Sequence, residues 1–176
     1  LTLTAVGSSG SGEVGVGALP IDSGTVAAFT PTDASNGYNF TGTTSIAATP
    51  VASSAVSVLM NATTNPAATS YMLTLASANN YRLDVGVTTT GRAYVRLLDP
   101  GSLVLATVTG TSTITTGDWQ QVGATLSASG SAWSLKLYVN GTQESATATA
   151  TTDQNLPALG ATVTVGGTVG AMYSGQ

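Results

Sequence analysis

Twelve charged side chains carry the acid and base chemistry of this 176-residue chain: Glu13, Asp22, Asp33, Asp84, Asp99, Asp118, Glu144 and Asp153 against Arg82, Arg92, Arg96 and Lys136. Glycoside hydrolysis needs two carboxylates flanking one bond, and a strand supplies them at positions i and i+2, which share a face. No two of the acids lie within eight residues of each other, so no strand offers such a pair. Asp99, Asp118 and Glu144 fall beside expected turns or strand ends, where an acid is explained by solvation. Nucleophilic Ser or Thr chemistry needs a base, and there is no His. Lys136 alternates onto the outer face of its strand. The absence of His and Cys also removes the usual zinc, haem and iron–sulfur ligand sets. The sequence therefore predicts no catalytic, cofactor-binding or metal residue, and no enzyme.

Composition narrows the partners. Four cations cannot build the basic patch that nucleic-acid phosphates require, and no run of about 20 apolar residues could span a membrane as a helix. Charged residues make up 7% of the chain, against a usual share of about 25%. Thr, Ser, Ala and Gly together account for 96 of 176 positions. Such a chain solvates itself with hydroxyls, which suits an extracellular or virion surface. The text opens at Leu1 without Met, a charged n-region or an apolar h-region, and reads as processed or excerpted from something longer.

Two regions differ in texture. Residues 1–35 are irregular, with an alternating piece over 1–6, a Gly/Ser run over 7–12, and Pro20 and Pro31; they read as an N-terminal arm or linker carrying one or two edge strands. From 36 to 176, short runs of β-branched, aromatic and Leu residues recur about every ten residues between turn signals, and no 3.6 period is sustained. Trp133, Leu135, Leu137 and Val139 alternate with Ser134, Lys136 and Tyr138, and Asn140-Gly141 then supplies a type I′ turn, with Thr142 opening the returning strand. A meander follows from strands at 81–87, 92–98 and 103–109, with turns at Thr88-Thr-Thr-Gly91 and Asp99-Pro-Gly-Ser102. Further strands are expected at 38–48, 55–61, 71–77, 119–127 and 161–166. About ten to twelve strands exceed one flat sheet in so short a chain, so the fold class is an all-β, two-sheet antiparallel sandwich.

The later text resembles the laminin G-like branch of the concanavalin A-like jelly rolls. Thr116-Gly-Asp-Trp-Gln-Gln-Val122, Leu135-Lys-Leu-Tyr-Val-Asn-Gly141, Thr164-Val-Gly-Gly167 and Met172-Tyr-Ser-Gly175 follow the family's strand motifs in order, and Tyr38-Asn-Phe-Thr-Gly42 and Val56-Ser-Val-Leu-Met60 resemble its opening strands. Asn140 replaces the family's acidic residue before the hairpin Gly, and the family's last strand is missing before Gln176. That predicts an open edge, which the Leu1–Val6 strand or a neighbouring chain would complete.

The resemblance implies a non-catalytic recognition or adhesion module that binds glycan or a protein partner through rim loops. The alternative, a purely structural virion or surface-layer component acting through assembly contacts, rests on the missing Met, the arm, the incomplete last strand and the small-residue surface. The resemblance also implies a possible rim calcium, to which Asp118 or Asp153 could contribute, although no dense ligand run appears and no cofactor is expected. Three Asn-x-Ser/Thr sites, at Asn39, Asn61 and Asn140, are close to chance in a chain this rich in hydroxyls, and Asn140 is already explained by its turn. A glycan reader should expose an aromatic. The candidates are Trp119, Trp133, Phe29, Phe40 and six Tyr, of which Trp133 reads as core and Tyr81 as the tyrosine nearest a loop.

Overall fold

The computed structural model describes residues 2–7, 13–18, 25–30, 38–43, 53–62, 65–66, 68–77, 80–129, 132–144, 147–151, 162–168 and 171–172, and no helix occurs among them. The strands are β1 (Thr2–Gly7), β2 (Glu13–Ala18), β3 (Thr25–Thr30), β4 (Tyr38–Thr43), β5 (Ser53–Asn61), β6 (Ser70–Ala76), β7 (Arg82–Val87) and β8 (Arg92–Leu98). They continue as β9 (Val104–Thr113), β10 (Trp119–Ser129), β11 (Ala132–Val139), β12 (Thr142–Gln143), β13 (Ala148–Thr151), β14 (Thr162–Val165), β15 (Gly167–Thr168) and β16 (Ala171–Met172). A seven-stranded sheet has the order β1-β4-β14-β6-β7-β8-β9, and a five-stranded sheet the order β12-β11-β10-β5 with β13 also on β11. The described pairings within both sheets are antiparallel. The ribbons β2–β3 and β15–β16 stand beside them. The architecture is the all-β sandwich that the alternation implies.

One turn design, repeated every eleven residues, sets the register of the larger sheet. Ser77, Thr88 and Asp99 each donate a backbone N–H to the carbonyl four residues on, at 2.8, 2.9 and 2.9 Å. Each also accepts, on its side-chain oxygen, the N–H of that same residue: Tyr81 at 3.0 Å, Arg92 at 3.1 Å and Leu103 at 2.8 Å. The residue before the last swings to positive φ, at Asn80 (65°), Gly91 (74°) and Ser102 (67°). Short hydroxyl and carboxylate side chains favour such local backbone bonds over a continued ladder. In the Asp99–Ser102 turn the left-handed position is therefore Ser102, and not Gly101 beside the proline.

The core lies between the sheets. Trp133, Leu135, Leu137 and Val139 of β11 and Val122, Ala124 and Leu126 of β10 are buried against Leu83, Val85, Val95, Leu97 and Val108. Each Leu or Val so buried contributes about 1.5–3 kcal/mol relative to exposure. Alternation carries across β6 to β9. Leu75, Leu83, Leu97 and Ala106 form one register row facing the core, while Thr74, Asp84, Arg96 and Thr107 form the adjacent row facing away.

Several expectations shift. Of the strand read over 38–48, Tyr38–Thr43 is β4 and residues 44–48 lie outside the described residues, and the one read over 161–166 is described over Thr162–Val165. The described strands outnumber the ten to twelve expected because the first 35 residues hold three, β1 to β3, and because the strand returning from Thr142 is broken into β12 and β13. The break falls at Glu144, whose carboxylate turns to β9 and accepts from the N–H groups of Thr111 and Ser112 at 2.9 and 2.8 Å. The piece expected as a strand over Leu1–Val6 is β1, which pairs with β4 from Thr2↔Thr43 to Gly7↔Tyr38 and forms one edge of the larger sheet.

Candidate functional site

The smaller sheet turns Ser57, Gly123 and Tyr138 outward in one register row across β5, β10 and β11. Gly123 carries no side chain there, and a Cβ on it would stand 3.3 Å from the Val56 carbonyl oxygen and 3.4 Å from Ser57 Cβ. The result is a depression of about 240 Å³ with Gly123 as floor, Tyr138 as one wall, and Ser57, Gln121 and Thr125 around it. Its edges are held. Asn140 Oδ1 accepts the Gln121 N–H at 2.9 Å, and Asn140 N–H donates to the Gln121 carbonyl at 2.8 Å, so the hairpin turn is clasped to β10. Asn140 and Gly141 have the positive φ values, 50° and 80°, that the turn demands. Lys136 lies half-buried on the same outer face, opposite Thr125. An apolar floor, one aromatic edge, an amide and hydroxyls are the groups that meet the two faces of a sugar ring.

The outer face of the larger sheet differs in kind. Asp84 on β7 has a fully buried side chain; its Oδ1 lies 3.0 Å from Arg82 Nε, and the carboxylate accepts from Arg82 Nε at 3.2 Å, Arg96 Nε at 2.9 Å and Thr74 Oγ1 at 2.9 Å. Arg96 donates through Nη2 to the Tyr71 hydroxyl, and its Cζ lies 4.6 Å from the Tyr71 ring centroid. Burial works against the Arg96 charge, but the Asp84 carboxylate outweighs it and holds the guanidinium above its ordinary range. Tyr94 lies edge-on to Tyr71, with ring centroids 6.0 Å apart, in the space left by Gly86. Burial and then Tyr71 push its phenol far above the ordinary value, with Arg96 opposing, so it remains a neutral hydroxyl.

The aromatic candidates separate clearly. Trp133 is 1% exposed and packs on Tyr81, with centroids 5.7 Å apart. Trp119 is half-buried at the start of β10, opposite Asn61. Asn61 itself donates to the Gly117 carbonyl at 3.0 Å. Asp99 is spent on its turn and Glu144 on β9. Asp118 is exposed, and among the described residues no three His, Cys, Asp or Glu side chains gather. The residues Asp22, Asp33, Asp153 and Tyr173, and the side chains of Glu13, Phe29, Tyr38, Asn39 and Phe40, lie outside the described residues. Tyr138 stood in the sequence only as an outward member of its alternation. Gly123 stands opposite it across the consecutive strands β10 and β11, but Ser57 comes from β5, which no local pattern joins to them.

Comparisons with known proteins bear on the fold. The family model of the concanavalin A-like lectin/glucanases superfamily matches residues 22–176. No curated protein matches by sequence. Among solved structures, domains LG4-5 of the mouse laminin alpha1 chain align at 14% identity with a TM-score of 0.57, over 74% of this chain and 32% of that one. The LG1-3 region of the laminin alpha2 chain aligns at 19% identity with a TM-score of 0.54, over 78% and 28%. The enzymatically active domain of bacteriophage CBA120 tailspike protein 2 aligns at 14% identity with a TM-score of 0.53, over 99% and 28%. The chain thus spans about a third or less of each of these structures, and at such identities the likeness is one of fold. With the family model covering most of the sequence and the described strands forming the same sandwich, the chain belongs to the concanavalin A-like lectin/glucanases superfamily.

Proposed function

We propose that this domain is a non-catalytic recognition module that binds glycan, displayed on a virion or cell surface, with the depression over Gly123 as its sugar site. The observation that carries the reading is the Ser57–Gly123–Tyr138 row, where a missing side chain opens room beside an aromatic ring. The volume of about 240 Å³ suits one sugar ring, and Gln121 and Thr125 offer both donors and acceptors to its hydroxyls. A non-catalytic role is supported by the engagement of Asp84, Asp99 and Glu144 in structural hydrogen bonds. The hydroxyl-rich, charge-poor composition supports display on a surface. Binding without a cofactor is part of the same reading.

The test is retention on a panel of immobilised glycans, repeated with Tyr138→Ala and with an assay for released reducing sugar. Binding by the wild-type chain that falls at least tenfold in Tyr138→Ala, with no sugar released, is the expected result. Absence of any glycan binding, or binding indifferent to Tyr138, overturns the site, and released sugar overturns the non-catalytic role.

A second reading, a structural virion or surface-layer component, is favoured by one feature. Leu103, just before edge strand β9, and Val104, its first residue, are 66% and 47% exposed, and strand edges with exposed apolar residues are ready to pair with another chain. A native mass determination separates the two: a monomer near 17.3 kDa supports the recognition module, and a large symmetric particle supports the structural role.

A further inference from the structure

We infer that the outer face of the seven-stranded sheet carries a second binding site, independent of the depression over Gly123, that takes the carboxylate of an acidic saccharide between Arg82 and Arg96. Three of the four cations of a chain with net charge −4 fall on this one face, since Arg92, Tyr94 and Arg96 alternate outward on β8 and Arg82 and Asp84 outward on β7. Asp84 fixes both nearer guanidinium groups by their Nε atoms, at 3.0 and 2.9 Å. A guanidinium has five N–H donors, so this contact orients each group while the terminal donors remain. Among the described residues only Tyr71 takes one of these, from Arg96 Nη2. The two Arg side chains stay 34% and 22% exposed.

Charge selects the ligand. Two guanidinium groups against one carboxylate leave a single positive charge, which matches a planar monoanion bound by the forks of Arg better than a phosphate or sulfate dianion. Tyr94, only 3% exposed and with its hydroxyl buried, lies in the next outward-facing row, two register positions from Arg96. The surround suits a sugar. Thr107 and Thr109 of β9, exposed, stand opposite Arg96 and Tyr94, and the Tyr71 ring lies under the Arg96 guanidinium.

The experiment is calorimetric titration of the whole chain with trigalacturonate, with neutral galactotriose and with a hexapeptide of Asp and Glu, at low and at physiological salt. Trigalacturonate binding at least tenfold tighter than galactotriose, lost tenfold in Arg82→Gln and unchanged in Tyr138→Ala, is expected. Arg82→Lys keeps the charge and loses the fork, so it preserves the fold if Arg82→Gln does not, and it too should weaken trigalacturonate about tenfold. Equal binding of the neutral and acidic trisaccharides, no binding of trigalacturonate at millimolar concentration, or indifference to Arg82→Lys overturns the site. Equal or tighter binding of the acidic peptide overturns the saccharide assignment. Loss in Tyr138→Ala would place the acid in the other depression, so this inference and the Gly123 reading fail separately.

Discussion

Asp84 and Arg96 face each other across β7 and β8, with Nε and Oδ2 2.9 Å apart, and the pair holds the fifth and sixth places of a register row that crosses all seven strands of the larger sheet. The row reads Thr4, Thr41, Thr164, Thr74, Asp84, Arg96 and Thr107. Five of its seven members are threonines, so one ion pair is set among β-branched polar residues that favour strands. With Asp84 fully buried and both Arg partners partly open to water, the carboxylate serves as the fixed point that the cations close over.

Asp84→Asn should destabilise the domain by about 3 kcal/mol, at the low end of what breaking a buried pair costs because the arginines can still reach water. The comparison that isolates the effect is Asp84→Asn with Arg96→Met, which removes one of the two stranded cations and should recover part of the loss. Urea unfolding of the single and double variants reads both values. A single variant within about 0.5 kcal/mol of the wild type would show that the pair does not brace the sheet.

Much of this was legible in the sequence. The alternation of Trp133, Leu135, Leu137 and Val139 fixed the core face of β11, and Asn140-Gly141 its turn. The pairing of Asp84 with Arg96 lay one residue away, because reflecting β7 through a turn at residues 88–91 sets Asp84 opposite Val95, whereas the turn closes between Thr88 and Arg92 and sets Asp84 opposite Arg96. A lone carboxylate in a charge-poor sequence reads instead as a solvated one, since one-dimensional spacing does not show burial. The Gly123 depression was out of reach for a different reason. It joins Ser57, Gly123 and Tyr138 through the β5–β10 pairing, which spans more than sixty residues and has no turn to set its register. In the first 35 residues the Gly-, Ser- and Ala-rich text lowers the contrast that marks strands, so β2 and β3 merged with the arm.

Glu144 ties the segment after β12 to β9 and should make this contact acid-labile. Burial raises its carboxyl, but the Ser112 and Thr111 donors outweigh that and hold it below the ordinary carboxylate range. A group with a lowered folded value contributes stability that is complete above the unfolded value of about 4.3 and is lost as pH falls through the folded value. Wild-type stability should therefore drop below about pH 4.3 more steeply than that of Glu144→Gln. At neutral pH Glu144→Gln should cost about 1 kcal/mol, because the carboxylate is partly solvated. Thermal melts from pH 7 to pH 2 check both, and parallel pH profiles would sink the assignment.

Two glycines should respond to alanine for opposite reasons. At Gly86 a Cβ would meet the Ser70 carbonyl oxygen at 2.0 Å and Tyr94 Cε1 at 2.6 Å. The backbone contact cannot give way cheaply, so Gly86→Ala should cost about 3 kcal/mol, the upper end for overpacking. At Gly141 nothing lies within 4 Å, but φ is 80°. Gly141→Ala should then cost only the left-handed strain of about 1–2 kcal/mol. Unfolding midpoints measured side by side give the order, and a Gly141 variant less stable than the Gly86 variant would contradict it.

Trp133 and Trp119 should report separately on the core and the rim. Trp133 is 1% exposed and tilted at 60° against Tyr81, whereas Trp119 is half-buried where β10 begins. Trp119→Phe leaves Trp133 as the single indole, and its emission should shift to shorter wavelength than in the wild type and resist quenching by iodide. Trp133→Phe should leave the more exposed emitter. Trp133→Ala removes the largest fully buried side chain and should cost about 3–5 kcal/mol, because a cavity of that size collapses only in part. A Trp119→Phe protein that emits at long wavelength and quenches freely would mean that Trp133 does not occupy the core between the sheets.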